Sequence, residues 1–318
     1  MWFLFAMICI LGWGFADLFY KKSSDENDKY SHLKIAVWVG LVMGVCAFAL
    51  IPFSETKMSF SSMGENFIKY LPASLSYIIS MVIGYAGLRY LELSIVSPVQ
   101  NASGAFSAIC MIIFFSIKGK FSSITDEFSF LDLLGTGLIV AGMILLAIVE
   151  QKLSKSESQN VDKKYKYGAL ALLFPILYCV FDTIGTAADG IILDEESGLG
   201  LGEIDVIILY GFTFLIAGIV AWLYMLFKAK KAYNPFAKTE KNKAIAACCE
   251  EFGQIFYVYA MASKPVLAAP MVASYCIISI ILSRIILKEK LTKSQLACVI
   301  GVVAGIVILG VSEGLAEM

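Results

Sequence analysis

Ten long apolar segments, separated by short polar breaks, determine what this chain can fold into. A helix rises about 1.5 Å per residue and needs roughly 20 apolar residues to cross a bilayer. Each segment reaches that length, and each is continuously apolar, unlike the alternating strands of an outer-membrane barrel. The sequence therefore predicts an all-α integral membrane protein with ten transmembrane helices. The predicted spans are residues 2–20, 33–53, 67–88, 93–117, 130–150, 167–190, 204–227, 243–262, 265–287 and 294–313.

The composition and the basic residues support this membrane assignment. Of the 318 residues, 59% are hydrophobic and 16% are charged, whereas soluble domains are roughly half apolar and a quarter charged. The 25 lysines and arginines avoid the middle of every span, and 20 of them lie in, or within about a turn of, the breaks that follow spans 1, 3, 5, 7 and 9. Because breaks rich in basic residues stay in the cytoplasm, this distribution predicts a cell-membrane protein with both termini outside.

The chain also repeats itself at about half its length. The repeated features, in chain order, are Trp13/Asp17 with Tyr178/Asp182, Pro98 with Pro270, IKGKFS (117–122) with LKEKLT (287–292), and IVAGMILLAIVE (139–150) with VVAGIVILGVSE (302–313). Ten spans then divide into two groups of five, and an odd number of spans inserts the second copy upside down. We therefore predict two inverted five-helix repeats, at residues 1–150 and 167–318, joined by a polar linker at residues 151–166.

Taken together, these features resemble the EamA-type ten-helix transporters of the drug/metabolite transporter (DMT) superfamily. The motifs that carry the resemblance are WGFADLFYK (13–21), GLRYLELSIVSPV (87–99), APMVASYCIISIILSR (269–284), the LKEKLT connector and the glycine-rich last helix of each half. The resemblance implies two EamA-like repeats around a central cavity lined mainly by helices 1, 3, 4, 6, 8 and 9. Such transporters are generally drawn with cytoplasmic termini, so the resemblance and the basic residues favour opposite orientations.

Two adjacent acids, Glu250 and Glu251, interrupt the eighth span near its middle. An ionised carboxylate at that depth costs at least about 2.5–3.5 kcal/mol, so it should face protein or water. Glu250, Gln254 and Tyr257 recur at i, i+4 and i+7 and should share one helix face. Because burial disfavours the charged form and neighbouring carboxylates oppose each other's ionisation, the pair is predicted to bind a proton or a cation. A carboxylate hydrogen-bonded to a neighbouring helix is the structural alternative.

Other polar residues inside the spans complete the predicted site. The candidate substrate- or proton-binding residues are Trp13, Asp17, Gln100, Asn101, Asp182, Glu250, Glu251, Gln254, Tyr257 and Tyr275. Asp17 lies about a turn from the end of its span, so a water-exposed position fits it equally well. Helix breaks or hinges are expected at Pro98, Pro175 and Pro270, because proline interrupts the helical hydrogen bonds. Arg89 and Glu92 are expected to form a local salt bridge at the membrane edge.

The sign of the buried charges favours one class of substrate. The spans contain several acids and no mid-span lysine or arginine, which a carrier of phosphates or other anions would need. The first hypothesis is a secondary-active transporter of a small cationic or zwitterionic metabolite or drug, coupled to protons and working by alternating access. The alternative is a facilitated exporter of neutral metabolites or amino acids, in which the intramembrane acids are structural.

Other classes of function lack their sequence signatures. There is no Walker A motif for ATP-driven transport, no intramembrane protease motif, and no CxxC or Cys/His spacing for a metal. The sequence therefore predicts no enzyme activity, no metal and no cofactor. A structural or sensory membrane protein would not need an inverted duplication. The expected partners are a small-molecule substrate, a proton and the lipid bilayer, with no nucleic acid; the oligomeric state is left open, a homodimer included.

Overall fold

The computed structural model of this chain describes residues 1–25, 27–54, 60–91, 93–121, 123–157, 171, 173–194, 198–199, 201–228, 233–288 and 292–316. All regular structure within these residues is helical, which confirms the predicted all-α fold class. Nine of the described helices are long and apolar enough to cross a membrane.

The first half of the chain forms five long helices. Helix α4 is interrupted once, at Ala102. The helices are α1 (Trp2–Ser23), α2 (Ser31–Leu50), α3 (Phe60–Gly87), α4 (Leu93–Asn101 and Ser103–Ile117) and α5 (Phe130–Glu157). Helix α5 therefore extends into the predicted linker, whose first seven residues continue the helix, and residues 158–166 lie outside the described part.

The second half forms five more helices, of which α9 is interrupted at Ser274 and Tyr275 and ends in a π-helical turn. They are α6 (Leu173–Ile192), α7 (Glu203–Phe227), α8 (Lys241–Ser263), α9 (Pro265–Ala273, Cys276–Leu282 and Ser283–Leu287) and α10 (Lys293–Ala316). Helix α8 has 23 residues but is not among the nine apolar helices, because Glu250, Glu251 and Gln254 lower its hydropathy. Each of the ten predicted spans corresponds to one of these helices.

The main helix–helix contacts join the two halves of the chain. Helix α1 packs against α8, α3 against α6, α2 against α7, α5 against α10 and α4 against α9. Lipid gives helices no hydrophobic reason to associate, so close packing depends on small residues that let backbones approach. Such residues occur where α1 crosses α8: a Cβ placed on Gly12 would lie 3.0 Å from Gly253 Cα. Helices α2 and α7 make a similar approach at Gly40 and Gly218.

Two of the three predicted hinge prolines lie in broken helices. Pro98 and Pro270 precede the interruptions of α4 and α9 by four residues each. At the second break the Ser274 hydroxyl donates to the Met271 carbonyl at 2.5 Å. The break expected at Pro175 is not seen among the described residues, because α6 runs without interruption from Leu173 to Ile192.

Arg89 connects two of the polar breaks at one end of the bundle. Its guanidinium donates to the backbone carbonyls of Asp25 at 3.2 Å and Lys29 at 3.1 Å, so it ties the α3–α4 connection to the α1–α2 connection. Glu92, its expected partner, lies outside the described residues.

Candidate functional site

A narrow central cavity of about 30 Å³, roughly the space of one water molecule, lies between the two halves. Helices α1, α3, α4, α6, α8 and α9 all contribute to it, as the resemblance implied, and α7 contributes Tyr210. Its polar and aromatic lining is formed by Trp13, Tyr77, Asn101, Ser103, Tyr178, Asp182, Thr186, Tyr210, Glu250, Tyr257 and Tyr275. Among the described residues, no lysine or arginine lines the cavity.

Aromatic rings pack against one another around this cavity. Trp13 contacts Tyr257, with ring centroids 5.1 Å apart, and meets Tyr275 edge-on at 5.5 Å. Tyr77 meets Tyr257 and Tyr210 edge-on, at 6.1 and 5.4 Å. Rings from α1, α3, α7, α8 and α9 therefore enclose the space, and their faces attract positive charge.

The indole of Trp13 occupies its position because residue 253 is glycine. A Cβ at Gly253 would lie 2.3 Å from Trp13 Cδ1, closer than two carbon atoms can approach. The Trp13 indole Nε1 also donates a hydrogen bond to the backbone carbonyl of Glu250, at 3.1 Å. The close contact between α1 and α8 therefore fixes one wall of the cavity.

Two carboxylates line the cavity and a third lies beside it. Asp182 Oδ2 accepts a hydrogen bond from Ser103 Oγ at 2.5 Å. Asp17 is buried just outside the lining, where its Oδ2 accepts from Ser97 Oγ at 2.6 Å and from Ser279 Oγ at 2.7 Å. Both Asp17 and Asp182 are close enough to interact electrostatically with Glu250. This concentrates negative charge in a buried space without a cation of its own in the described lining.

The structure brings six of the ten candidate residues into one lining and leaves four outside it. Those in the lining are Trp13, Asn101, Asp182, Glu250, Tyr257 and Tyr275. Asp17 and Gln100 are buried nearby, and Gln100 Nε2 has no hydrogen-bond partner among the described residues. Glu251 lies next to Cys46 of α2. Gln254 is 1% exposed, neither of its amide atoms has a described partner, and it is not part of the cavity lining.

Several lining residues had no distinguishing signal in the sequence. Tyr77, Met81 and Tyr210 lie within apolar spans, in a chain that contains 15 tyrosines and 22 phenylalanines. Aromatic residues also serve as interface anchors and as packing, so their spacing alone does not select the cavity-lining ones.

One end of the bundle, which we call the termini end, carries the start of α1 and the end of α10. Several polar contacts there join the two halves. Trp2 Nε1 donates to Glu313 at 2.6 Å, and Ser54 Oγ donates to Asp205 at 2.6 Å. Lys120 forms an ion pair with Asp194 between the α4–α5 and α6–α7 connections. These contacts tie the two halves together at the termini end.

Comparison with known proteins identifies the kind of molecule. Residues 197–311 match the model of the EamA-like transporter family. Over these residues the chain resembles the EamA-type membrane transporters. This match confirms the resemblance to the drug/metabolite transporter superfamily and supports a multi-pass protein of the cell membrane. It includes α7 to α10 and therefore Tyr210, Glu250, Tyr257 and Tyr275 of the cavity lining.

A solved structure shares the fold over most of the chain. In all, 26 chains match. One of them, described only as the crystal structure of a protein, covers 96% of this chain and 96% of its own, with a TM-score of 0.60 and 11% identity. At that identity the similarity shows the fold alone. No curated protein matches the chain in sequence.

Proposed function

We propose that this EamA-type transporter carries a small cationic or zwitterionic metabolite or drug, coupled to protons. The observation that supports this proposal is the pairing of aromatic rings with carboxylates around the cavity. Trp13, Tyr257 and Tyr275 can present ring faces to a cation, a contact that contributes about 0.5–2 kcal/mol per ring. Glu250 and Asp182 supply the negative charge in the same lining.

Proton coupling follows from the same cluster of acids. Glu250, Asp17 and Asp182 repel one another when ionised, so protons occupy some of them while the cavity is empty. A cation that enters the cavity compensates the negative charge and releases those protons. The transporter would then exchange protons for substrate across the membrane.

Alternating access is supported by the way the helices pair. If helix n corresponds to helix n+5, the contact of α1 with α8 corresponds to the contact of α6 with α3, and both occur. The pairs α2–α7, α4–α9 and α5–α10 each join a helix to its own counterpart in the other half, so exchanging the halves leaves these contacts unchanged. This pattern supports the proposed repeats at residues 1–150 and 167–318 and a rocking of one repeat against the other.

The test uses tetraethylammonium, whose charge does not change with pH, and the purified protein in liposomes. A proton gradient should drive tetraethylammonium accumulation by the wild type, and Glu250→Gln should abolish it. Glu65→Gln serves as the control, because Glu65 is an exposed residue of α3 that forms an ion pair with Lys69, away from the cavity. Uptake of neutral amino acids that is independent of pH and unchanged in Glu250→Gln would instead support the facilitated exporter. No binding of tetraethylammonium, choline or betaine would contradict the cationic proposal.

A further inference from the structure

A fourth buried acid, Asp189, lies outside the cavity lining and outside the candidate list. It follows Asp182 and Thr186 on α6 at the spacing i, i+4 and i+7, which places the three residues on one helix face. Asp189 is completely buried, three residues before α6 ends at the termini end. In the sequence it stands at the start of the acidic stretch DGIILDEES and looks like a residue of a solvated loop.

The Asp189 carboxylate has few hydrogen-bond donors. Tyr70 of α3 donates its hydroxyl hydrogen to Oδ1 at 2.6 Å. The other oxygen, Oδ2, has no partner among the described residues. An ionised carboxylate offers about four lone-pair sites, and leaving them unmet in a buried place is costly. The arrangement suits a carboxyl group that takes up a proton.

A chain of hydroxyl groups connects this acid with the cavity. Tyr257 is a further close neighbour of the Asp189 carboxyl. The hydroxyls of Tyr257 and Tyr77 are hydrogen-bonded to each other, and the Tyr77 hydroxyl is 2.9 Å from Thr186 Oγ1. Tyr77, Thr186 and Tyr257 all line the cavity. Asp189 is therefore one hydroxyl away from the place where the substrate is proposed to bind.

The surroundings of Asp189 contain no described counter-ion. The side chains that meet α6 at the neighbouring Gly190 are Met111 of α4, Met261 of α8 and Pro265 of α9. The titratable groups that face Asp189 are tyrosines and one acid of its own helix. They are Tyr70 and Tyr77 from α3, Tyr210 from α7, Tyr257 from α8 and Asp182 from α6.

We propose that Asp189 is a second proton-binding site, which exchanges a proton with the cavity through the hydroxyls of Tyr257 and Tyr77. The proposal deepens the proton coupling proposed above and rests on it for its place in transport. A proton from the cavity is accepted by a tyrosine oxygen while that hydroxyl gives its own proton onward to the Asp189 carboxylate. Each tyrosine ends neutral, and one proton has moved towards the termini end without any transfer of electrons.

The first measurement is independent of any substrate. Infrared difference spectra recorded while the pH is changed detect each carboxyl group that gains or loses a proton. Asp189→Asn should remove one carboxylic acid band from these spectra. Asp205→Asn is the matched control, because Asp205 is also completely buried and also accepts from a hydroxyl, that of Ser54; it should leave that band in place. Tyr70→Phe removes the donor to Oδ1 and should shift the frequency of the same band. This variant replaces Asp189→Asn in the test if Asp189→Asn does not fold.

The second measurement separates proton movement from substrate movement. Exchange of tetraethylammonium across liposomes at equal pH needs no net proton transfer, and Asp189→Asn should retain it. Accumulation driven by a proton gradient should fall by at least about tenfold, as expected when a proton-transfer group is removed.

The outcomes are decisive in both directions. An unchanged infrared titration in Asp189→Asn, or unchanged gradient-driven accumulation, overturns the proposal. If the wild type does not bind or move tetraethylammonium, the proposed function fails, while the infrared result still decides whether Asp189 binds a proton.

Discussion

Trp13 in α1 donates its indole hydrogen to the backbone carbonyl of Glu250 in α8, at 3.1 Å. The bond joins the first half of the chain to the second at the level of the cavity. It leaves the Glu250 carboxylate free for other contacts and presents the indole ring to Tyr257 and Tyr275. One side chain therefore links helix packing and the proposed cation site.

Substitutions of Trp13 should separate these two roles. Trp13→Ala removes both the ring and the hydrogen bond, and should weaken tetraethylammonium binding by about 1–2 kcal/mol, or roughly 5- to 30-fold. Trp13→Phe keeps a ring and loses the bond to Glu250, so it should mainly lower thermal stability, by about 1 kcal/mol. Calorimetric binding and thermal unfolding of the purified variants measure both effects. Equal affinities in both variants would rule out the ring contact.

Gly253→Ala tests whether the close approach of α1 and α8 is required. The added methyl group would lie 2.3 Å from Trp13 Cδ1, so the indole or the helix must move. Overpacking of this kind costs about 1–3 kcal/mol, and tetraethylammonium binding should weaken with it. Gly301→Ala in α10 is the control, because nothing lies within 4 Å of a Cβ at that position. If the two variants have the same melting temperature, the contact of α1 and α8 that forms this cavity wall does not depend on Gly253.

The sequence predicted the charged part of the site better than its aromatic part. Glu250 and Asp182 stand out because an acid within an apolar span is costly and needs an explanation. Tyr77 and Tyr210 do not stand out, because tyrosine fits a cavity wall, a membrane interface and a packed core equally well. Gln254 shows the limit of helical periodicity: it lies one turn from Glu250, yet it is buried outside the cavity lining.

Asp189 shows why contacts between distant segments were needed. Hydropathy places it at the end of a span, where an acid normally meets water. Its burial depends on Tyr70, which is 119 positions earlier in the chain, and on the side chains of other helices that meet α6 at Gly190. The ten helices follow from local sequence, because the apolar length of a span is a local property. Which helix faces which is decided by packing.

Tetraethylammonium binding should depend on pH with a defined sign. Protonation of Glu250 removes the negative charge that attracts the cation, so affinity should fall as the pH falls. Where one proton is displaced per cation, the dissociation constant changes by about tenfold per pH unit. Binding of the wild type in weakly buffered solution should release protons, and Glu250→Gln should bind weakly with a flatter pH dependence. Binding without proton release would contradict coupling at this residue.

The ion pair of Lys120 and Asp194 should control access from the termini end. Asp194→Asn removes one charge of a contact between the two halves, so the population open at that end should increase. A cysteine introduced at Ala269 in the cavity lining can report this, after the eight native cysteines are replaced. A membrane-impermeant maleimide added from that side should label it several-fold faster in the Asp194→Asn background. Asp132→Asn, a change of the same kind in the first turn of α5, should leave the rate unchanged.

The basic residues predict which side of the membrane the termini end faces. The breaks that hold 20 of the 25 lysines and arginines all lie at the opposite end of the bundle. Each basic residue near a span end resists translocation, so these breaks should be cytoplasmic and the termini end should face outward. A C-terminal alkaline phosphatase fusion should then be active, and a C-terminal green fluorescent protein should be dark. Replacing the lysines of the α7–α8 connection with glutamine should increase the fraction of chains with cytoplasmic termini. The same change at Lys118 and Lys120, at the termini end, should decrease that fraction. A fluorescent fusion in the unaltered chain would instead place both termini, and with them the termini end, in the cytoplasm, as the EamA-type resemblance implies.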